Sequence, residues 1–141
     1  MSFLYPSSPD KTPADVFGGE GFGGVVYKAT DISLTASGQQ NIMLLSAGRG
    51  KFIWQYFVVV STTVTGFSAP ASITAGWTGT PVQIIPSPSA LGITVADRFL
   101  LFQPSGGTVV IPDATQIVLD VTTAATATVF DVSVYLIGHH V

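Results

Sequence analysis

Cysteine is absent from the 141 residues, glutamate occurs once, at Glu20, and charged residues make up only 9% of the chain. Without cysteine there is no thiol redox chemistry, no thiolate-bound metal and no disulfide to indicate a compartment. A chain of this length makes one domain and buries about 70% of its unfolded surface, so it needs no covalent staple. Basic residues are scarce as well: five Lys and Arg against eight Asp and Glu give a net charge of -3. With an isoelectric point near 4.9, neither nucleic acid nor an anionic membrane surface is expected as a partner. Long apolar runs are missing although the mean hydropathy is +0.53. Gly, Pro and Thr interrupt each run before the ~18 residues that a membrane-spanning helix needs. Met1-Ser2-Phe3-Leu4-Tyr5-Pro6 has no basic stretch and no long apolar core, so we expect no secretory signal and synthesis in a cytoplasm.

The shortage of charge is itself informative. Ordinary domains carry about 25% charged residues. A chain with so few exposes much apolar surface unless neighbouring subunits cover it. Residues 1–24 contain Pro6, Pro9 and Pro13 and then a glycine cluster from Gly18 to Gly24. Prolines remove donors and glycines weaken regular elements, so this segment is expected to be an extended arm. Its apolar residues Phe3, Leu4, Tyr5, Val16 and Phe17 suggest that it docks onto another surface.

Residues 25–141 read as a β-domain of short strands separated by turn clusters. Strands are expected at Val25–Ala29, Ile32–Thr35, Asn41–Ser46 and Lys51–Thr65, around Ile73, and at Pro81–Ile85, Arg98–Phe102 and Thr108–Ile111. Lys51–Thr65, aromatic and then β-branched, has the composition of a central strand. Gln116–Val121 and Val129–Ile137 flank the small-residue stretch Thr122–Thr128 and read as a hairpin. Phe130, Val132, Val134 and Leu136 share one face of the second strand, and Ile117, Leu119 and Val121 share one face of the first. Period two marks half-buried antiparallel strands. No stretch carries an apolar stripe at helical spacing. Turn signals every 8–12 residues or so indicate an all-β fold, an antiparallel two-sheet β-sandwich of jelly-roll type.

Candidate chemistry is sparse. Gly19-Glu20-Gly21-Phe22-Gly23-Gly24-Val25-Val26-Tyr27-Lys28-Ala29 resembles the glycine-rich loop and following strand of protein kinases. Nothing matches a catalytic loop or a metal-binding DFG, and Glu20 leaves no second glutamate to pair with a phosphate-binding lysine. His139 and His140 are adjacent and so point to opposite faces of a strand, which does not chelate one ion. Asp97, Asp113, Asp120 and Asp131 read as turn or strand-exterior residues rather than a facing pair of carboxylates. No enzyme activity, cofactor or metal is expected. Arg49 and Lys51 flank Gly50 and offer a clamp for a neighbour's carboxylate. Trp54 and Tyr56 have the same parity on one strand and, with Trp77, are candidates for a sugar-stacking platform; core or interface packing is the plainer reading.

The pattern as a whole resembles small virion proteins of tailed bacteriophages. The likeness lies in the arm, the lack of cysteine, the scarcity of charge, the strand Gly48–Thr65 running into Ser-Thr-Thr, and the Thr122–Thr128 tract. That group includes capsid decoration (cement) proteins and knob domains of head or tail fibres. The resemblance implies a structural subunit of the virion, assembled in the host cytoplasm. We expect a decoration subunit, a homotrimer that staples the major capsid protein or another virion protein through buried apolar area and its arm. The alternative is a receptor- or carbohydrate-binding knob domain of a phage fibre, or a carbohydrate-binding module, that uses Trp54, Tyr56 or Trp77.

Overall fold

Fourteen residues from Phe52 to Thr65 form the longest strand among the described residues, in keeping with their aromatic and β-branched composition. The computed structural model describes residues 24–106 and 108–141. Among them are nine strands and no helix: β1 (Val25–Ser33), β2 (Gly38–Leu44), β3 (Phe52–Thr65), β4 (Ser72–Gly76), β5 (Ile85–Ala90), β6 (Phe99–Phe102), β7 (Val110–Ile111), β8 (Gln116–Thr123) and β9 (Val129–His140). They form two antiparallel sheets that pack face to face as a β-sandwich. The first has the order β1-β9-β3-β6, with β7 also pairing β3; the second has the order β2-β8-β4-β5. Strands therefore pair 1 with 9, 2 with 8, 3 with 6 and 4 with 5, the pairing of one long hairpin wound over itself, successive pairs falling in alternate sheets. The expected arm lies outside the described residues, apart from Gly24.

The alternation read from the sequence places the core correctly. Phe130, Val132, Val134 and Leu136 are fully buried between the sheets, facing Ile117, Leu119 and Val121 of β8 in one apolar cluster. Phe52, Trp54, Phe57 and Val59 join from β3, and Ile73 and Ala75 from β4. At about 25 cal/mol per Å2, each such side chain contributes roughly 1.5–3 kcal/mol by leaving water. Ser61, also fully buried, is kept from being a liability by its bonds. Its hydroxyl donates to the Val95 carbonyl at 2.8 Å and accepts the Arg98 N–H at 3.1 Å. This fastens the 91–98 loop against β3.

Three expectations are corrected. β8 and β9 are not a hairpin: β8 pairs β2 and β4, while β9 pairs β1 and β3. The small-residue connection crosses from one sheet to the other, held by Ala125 N–H on the Leu34 carbonyl (2.8 Å) and by exchange between Thr126 and Ala69. Second, Val25–Ala29 and Ile32–Thr35 are not separate strands. β1 is continuous through a register shift between Ala29 and Ile32, where Asp31 takes a φ of 57°; aspartate tolerates that left-handed conformation. Third, Pro81–Ile85 is not a strand. β5 begins at Ile85 and runs through Pro86-Ser87-Pro88, which is possible because β5 is an edge strand and prolines there forfeit no interior ladder bond.

The β3–β9 ladder extends from Phe52↔His140 to Thr65↔Val129. Where it bends, between Trp54 and Tyr56, Gly138 lies against the other strand: a Cβ at Gly138 would strike the Ile53 carbonyl oxygen and the Trp54 Cα. Gly138→Ala is therefore expected to cost about 1–3 kcal/mol through overpacking. Gly79→Ala, where a Cβ meets nothing within 4 Å, should stay within about 0.5 kcal/mol of the parent. Urea titrations of the two variants check the contrast, which similar values would contradict.

Candidate interaction surface

The sequence offered three groups of functional side chains, and the structure does not bring them together. Phe3, Leu4, Tyr5, Val16 and Phe17 lie outside the described residues. Arg49 and Lys51 are both exposed in the connection between β2 and β3. The Gly48 N–H beside them donates to the Asp113 carboxylate at 3.0 Å, so Asp113 ties two loops together.

The aromatic candidates are divided between opposite sides of the first sheet. The register shift between Trp54 and Tyr56 breaks the parity that would have put them on one face. Trp54 turns into the core with only 2% of its surface exposed, and its indole N–H donates to the Thr108 carbonyl at 3.0 Å. Tyr56 packs in a second apolar cluster with Val58, Val60, Tyr135 and Ile137. Trp77, half-buried, packs against the core from the end of β4. A cleft of ≈ 390 Å³ does open beside Trp54, walled by Gln83, Pro104, Ser105 and Thr108. The Gln83 amide is already engaged: it accepts the Trp77 N–H at 2.9 Å and donates to the Thr78 hydroxyl at 2.8 Å. A sugar-stacking site needs an open ring face, and Trp54, 2% exposed, does not offer one.

The two histidines diverge, as their adjacency predicted. His139 is exposed. His140 stands against Phe52 and Tyr27, with ring centroids at 5.0 and 5.9 Å. The Gly50 carbonyl lies 3.3 Å from Nδ1 and the Tyr27 hydroxyl 2.7 Å from Nε2. A carbonyl only accepts, so in the neutral ring Nδ1 carries the hydrogen and Nε2 accepts from Tyr27. The Tyr27 oxygen in turn accepts the Ser46 N–H at 3.1 Å. This chain of bonds joins β1, β9 and both ends of the β2–β3 connection. It is a clasp, and among the described residues no group of three or more His, Asp or Glu side chains could hold a metal. Asp120 and Asp131 sit on strands of different sheets.

What the sequence reasoning missed is a strip of exposed apolar side chains. Phe99 and Leu101 on β6 are 45% and 39% exposed, and Val110 on β7 is 39% exposed. Both strands lie along the same margin of β3. The signal was present in Phe99-Leu100-Leu101-Phe102: four apolar residues in a row serve both faces of a strand, and only one of those faces is the core.

No protein-family model matches the chain, and no curated protein is significantly similar to it. Two solved structures are. One is from the capsid of Ralstonia phage GP4, with a TM-score of 0.55 and 14% identity over 95% of this chain and 89% of that one. The other is from the cyanophage Pam1 capsid asymmetric unit, with a TM-score of 0.48 and 17% identity over 95% of this chain and 100% of that one. The first is a likeness of fold.

Trp54 and Trp77 are the two tryptophans of the chain, so emission distinguishes a packed indole from a platform. In a Trp77→Phe variant the remaining emission should be blue-shifted, resist acrylamide quenching and stay unchanged on adding oligosaccharides. Quenchable, sugar-responsive emission would restore the sugar-binding reading.

Proposed function

We propose that this protein is a structural subunit of a tailed-phage virion, a decoration protein that seats on the major capsid protein as a homotrimer. The observation that carries the reading is the apolar strip on β6 and β7, in a chain with only 9% charged residues. Monomers rarely leave such a margin to water, and interfaces are where it is buried. The fold likeness to a chain in the GP4 capsid supports the same reading. So does the winding of the strands, which we read as a jelly roll, a double Greek key used by viral capsid domains.

In this proposal β6 works in two ways. It ends its sheet, so its outer edge can accept a neighbour's strand, and its side chains offer apolar area to the same neighbour. Arg49 and Lys51 supply the cationic contacts, each to a carboxylate of an adjoining subunit. The role is mechanical. Attachment buries apolar surface of both partners and so raises the cost of separating the capsomers beneath.

Light scattering over a concentration series tests the first step. Three copies of 14.7 kDa give a particle of 3 × 14.7, about 44 kDa. Leu101→Asp should lower that mass toward the monomer while leaving the thermal transition nearly unchanged, since Leu101 is already partly exposed. The same variant should fail to co-sediment with capsids that retain the parent protein. A parent that is monomeric at every concentration and does not sediment with capsids would refute the proposal.

A further inference from the structure

Residues 45–51 join β2 to β3 on the surface, a setting in which loops are ordinarily mobile. Here five of the seven have a backbone group bonded to another part of the fold. The Leu45 N–H donates to the Thr115 carbonyl and the Lys51 carbonyl accepts the Val141 N–H, both at 2.9 Å. Between them, the Ser46 N–H donates to the Tyr27 hydroxyl at 3.1 Å and the Gly48 N–H to the Asp113 carboxylate at 3.0 Å. The Gly50 carbonyl accepts from His140 Nδ1 at 3.3 Å. The anchors lie on β1, in the turn between β7 and β8, and at the end of β9 with Val141 after it.

What this scaffold presents is charge. Gly48 and Gly50, with φ of 77° and 86°, bracket Arg49 with a left-handed conformation that glycine adopts readily. Arg49 and Lys51 are both exposed. They are two of five basic side chains in a chain with eight acidic ones, yet among the described residues neither is in an ion pair. Asp113, the carboxylate beside them, bonds the Gly48 backbone instead. The neighbouring acid therefore fixes the shape of the loop and leaves both cations available. The loop also continues the apolar margin. Lys51 leads into Phe52 and Ile53, which pair with Ile111 and Val110 of β7, and Val110 is the exposed apolar residue at that end of the strip.

We propose that the β2–β3 connection is a preformed cationic docking element. Tyr27, His140 and Asp113 act as positioning residues that hold Arg49 and Lys51 ready for two carboxylates of a partner surface, beside the apolar strip. This deepens the decoration reading and rests on it, the capsid being where that reading puts the partner. The physical gain lies in the cost of ordering. A surface ion pair is ordinarily worth little, because long side chains must be immobilised to make it. A backbone already fixed leaves only the side chains to order, and the arginine can then meet a carboxylate through two parallel bonds. The partner that fits is a folded protein surface with an apolar patch bordered by acidic side chains.

Trypsin cuts after Arg49 and Lys51 only where the backbone is free to enter its cleft, so it reads the loop directly. The full chain should resist at both positions although their side chains are exposed. Tyr27→Phe keeps the ring against Phe52 (centroids 5.3 Å apart) and removes the hydroxyl. It should be cut there severalfold faster, with cleavage after Arg98 unchanged. Asp113→Ala should behave likewise, whereas Asp113→Asn, still able to accept the Gly48 N–H, should keep the resistance. In co-sedimentation with capsids, Tyr27→Phe and Asp113→Ala should both bind severalfold more weakly. By charge alone Asp113→Ala would bind an acidic partner more tightly, so the direction separates loop order from charge. Arg49→Gln/Lys51→Gln should lose as much, and adding Tyr27→Phe to it should lose no more. A parent cut as fast as Tyr27→Phe overturns the proposal, and so does a released loop that attaches as tightly as the parent. A parent that does not sediment with capsids removes the decoration reading and the partner with it, while the trypsin result still decides whether the loop is preformed.

Discussion

The ladder between β3 and β9 is the constraint on which the rest of the molecule depends. It is the long central pairing of the first sheet, and both neighbours of the ladder, β1 and β6, take their positions from it. Its core-facing side chains from Phe52 to Val59 and from Phe130 to Leu136 make one wall of the interior. The second sheet has no comparable spine. β2, β8, β4 and β5 are short, and their apolar faces find water-free surroundings only against that wall. Two register shifts within the ladder add local twist and decide which side chains look inward. The departure of Tyr56 from Trp54 is a direct result.

The alternation of β8 and β9 was legible because period two survives wherever one face is buried. Their partners were not. A hairpin loop and a crossover between stacked sheets have the same length and the same small residues, and nothing in Thr122–Thr128 says which sheet receives the chain next. The split of Trp54 from Tyr56 escaped for a related reason: one extra residue in one strand reverses parity, and only the partner's register reveals it. Pro86 and Pro88 read as a stop, although an edge strand tolerates what a central one does not. A clearer signal was overlooked in Tyr56-Phe57-Val58-Val59-Val60. Apolar residues at both parities indicate burial on both faces, so the second apolar face of the sheet was already written there.

The side chains that looked most like chemistry turn out to hold the domain together. Trp54 anchors a loop through its indole N–H, His140 and Tyr27 clasp the C-terminal strand to the first, and Asp113 secures the glycine turn at Gly48. Once these bonds are counted, the surface keeps its apolar margin and a few solvated charges. Apolar area left outside is the kind of surface that binds by shape and burial.

The two sheets also end differently. β6 closes the first sheet with a four-residue strand of Phe and Leu, while β5 closes the second with six residues of which Pro86 and Pro88 bring no amide hydrogen. A strand arriving at β5 finds gaps in the donor row it must match. Ribbon-like growth, in which each molecule extends the sheet of the last, needs a receptive edge on both sides of every unit. Here the second sheet is blunted at β5, so growth of that kind is discouraged along its β5 edge.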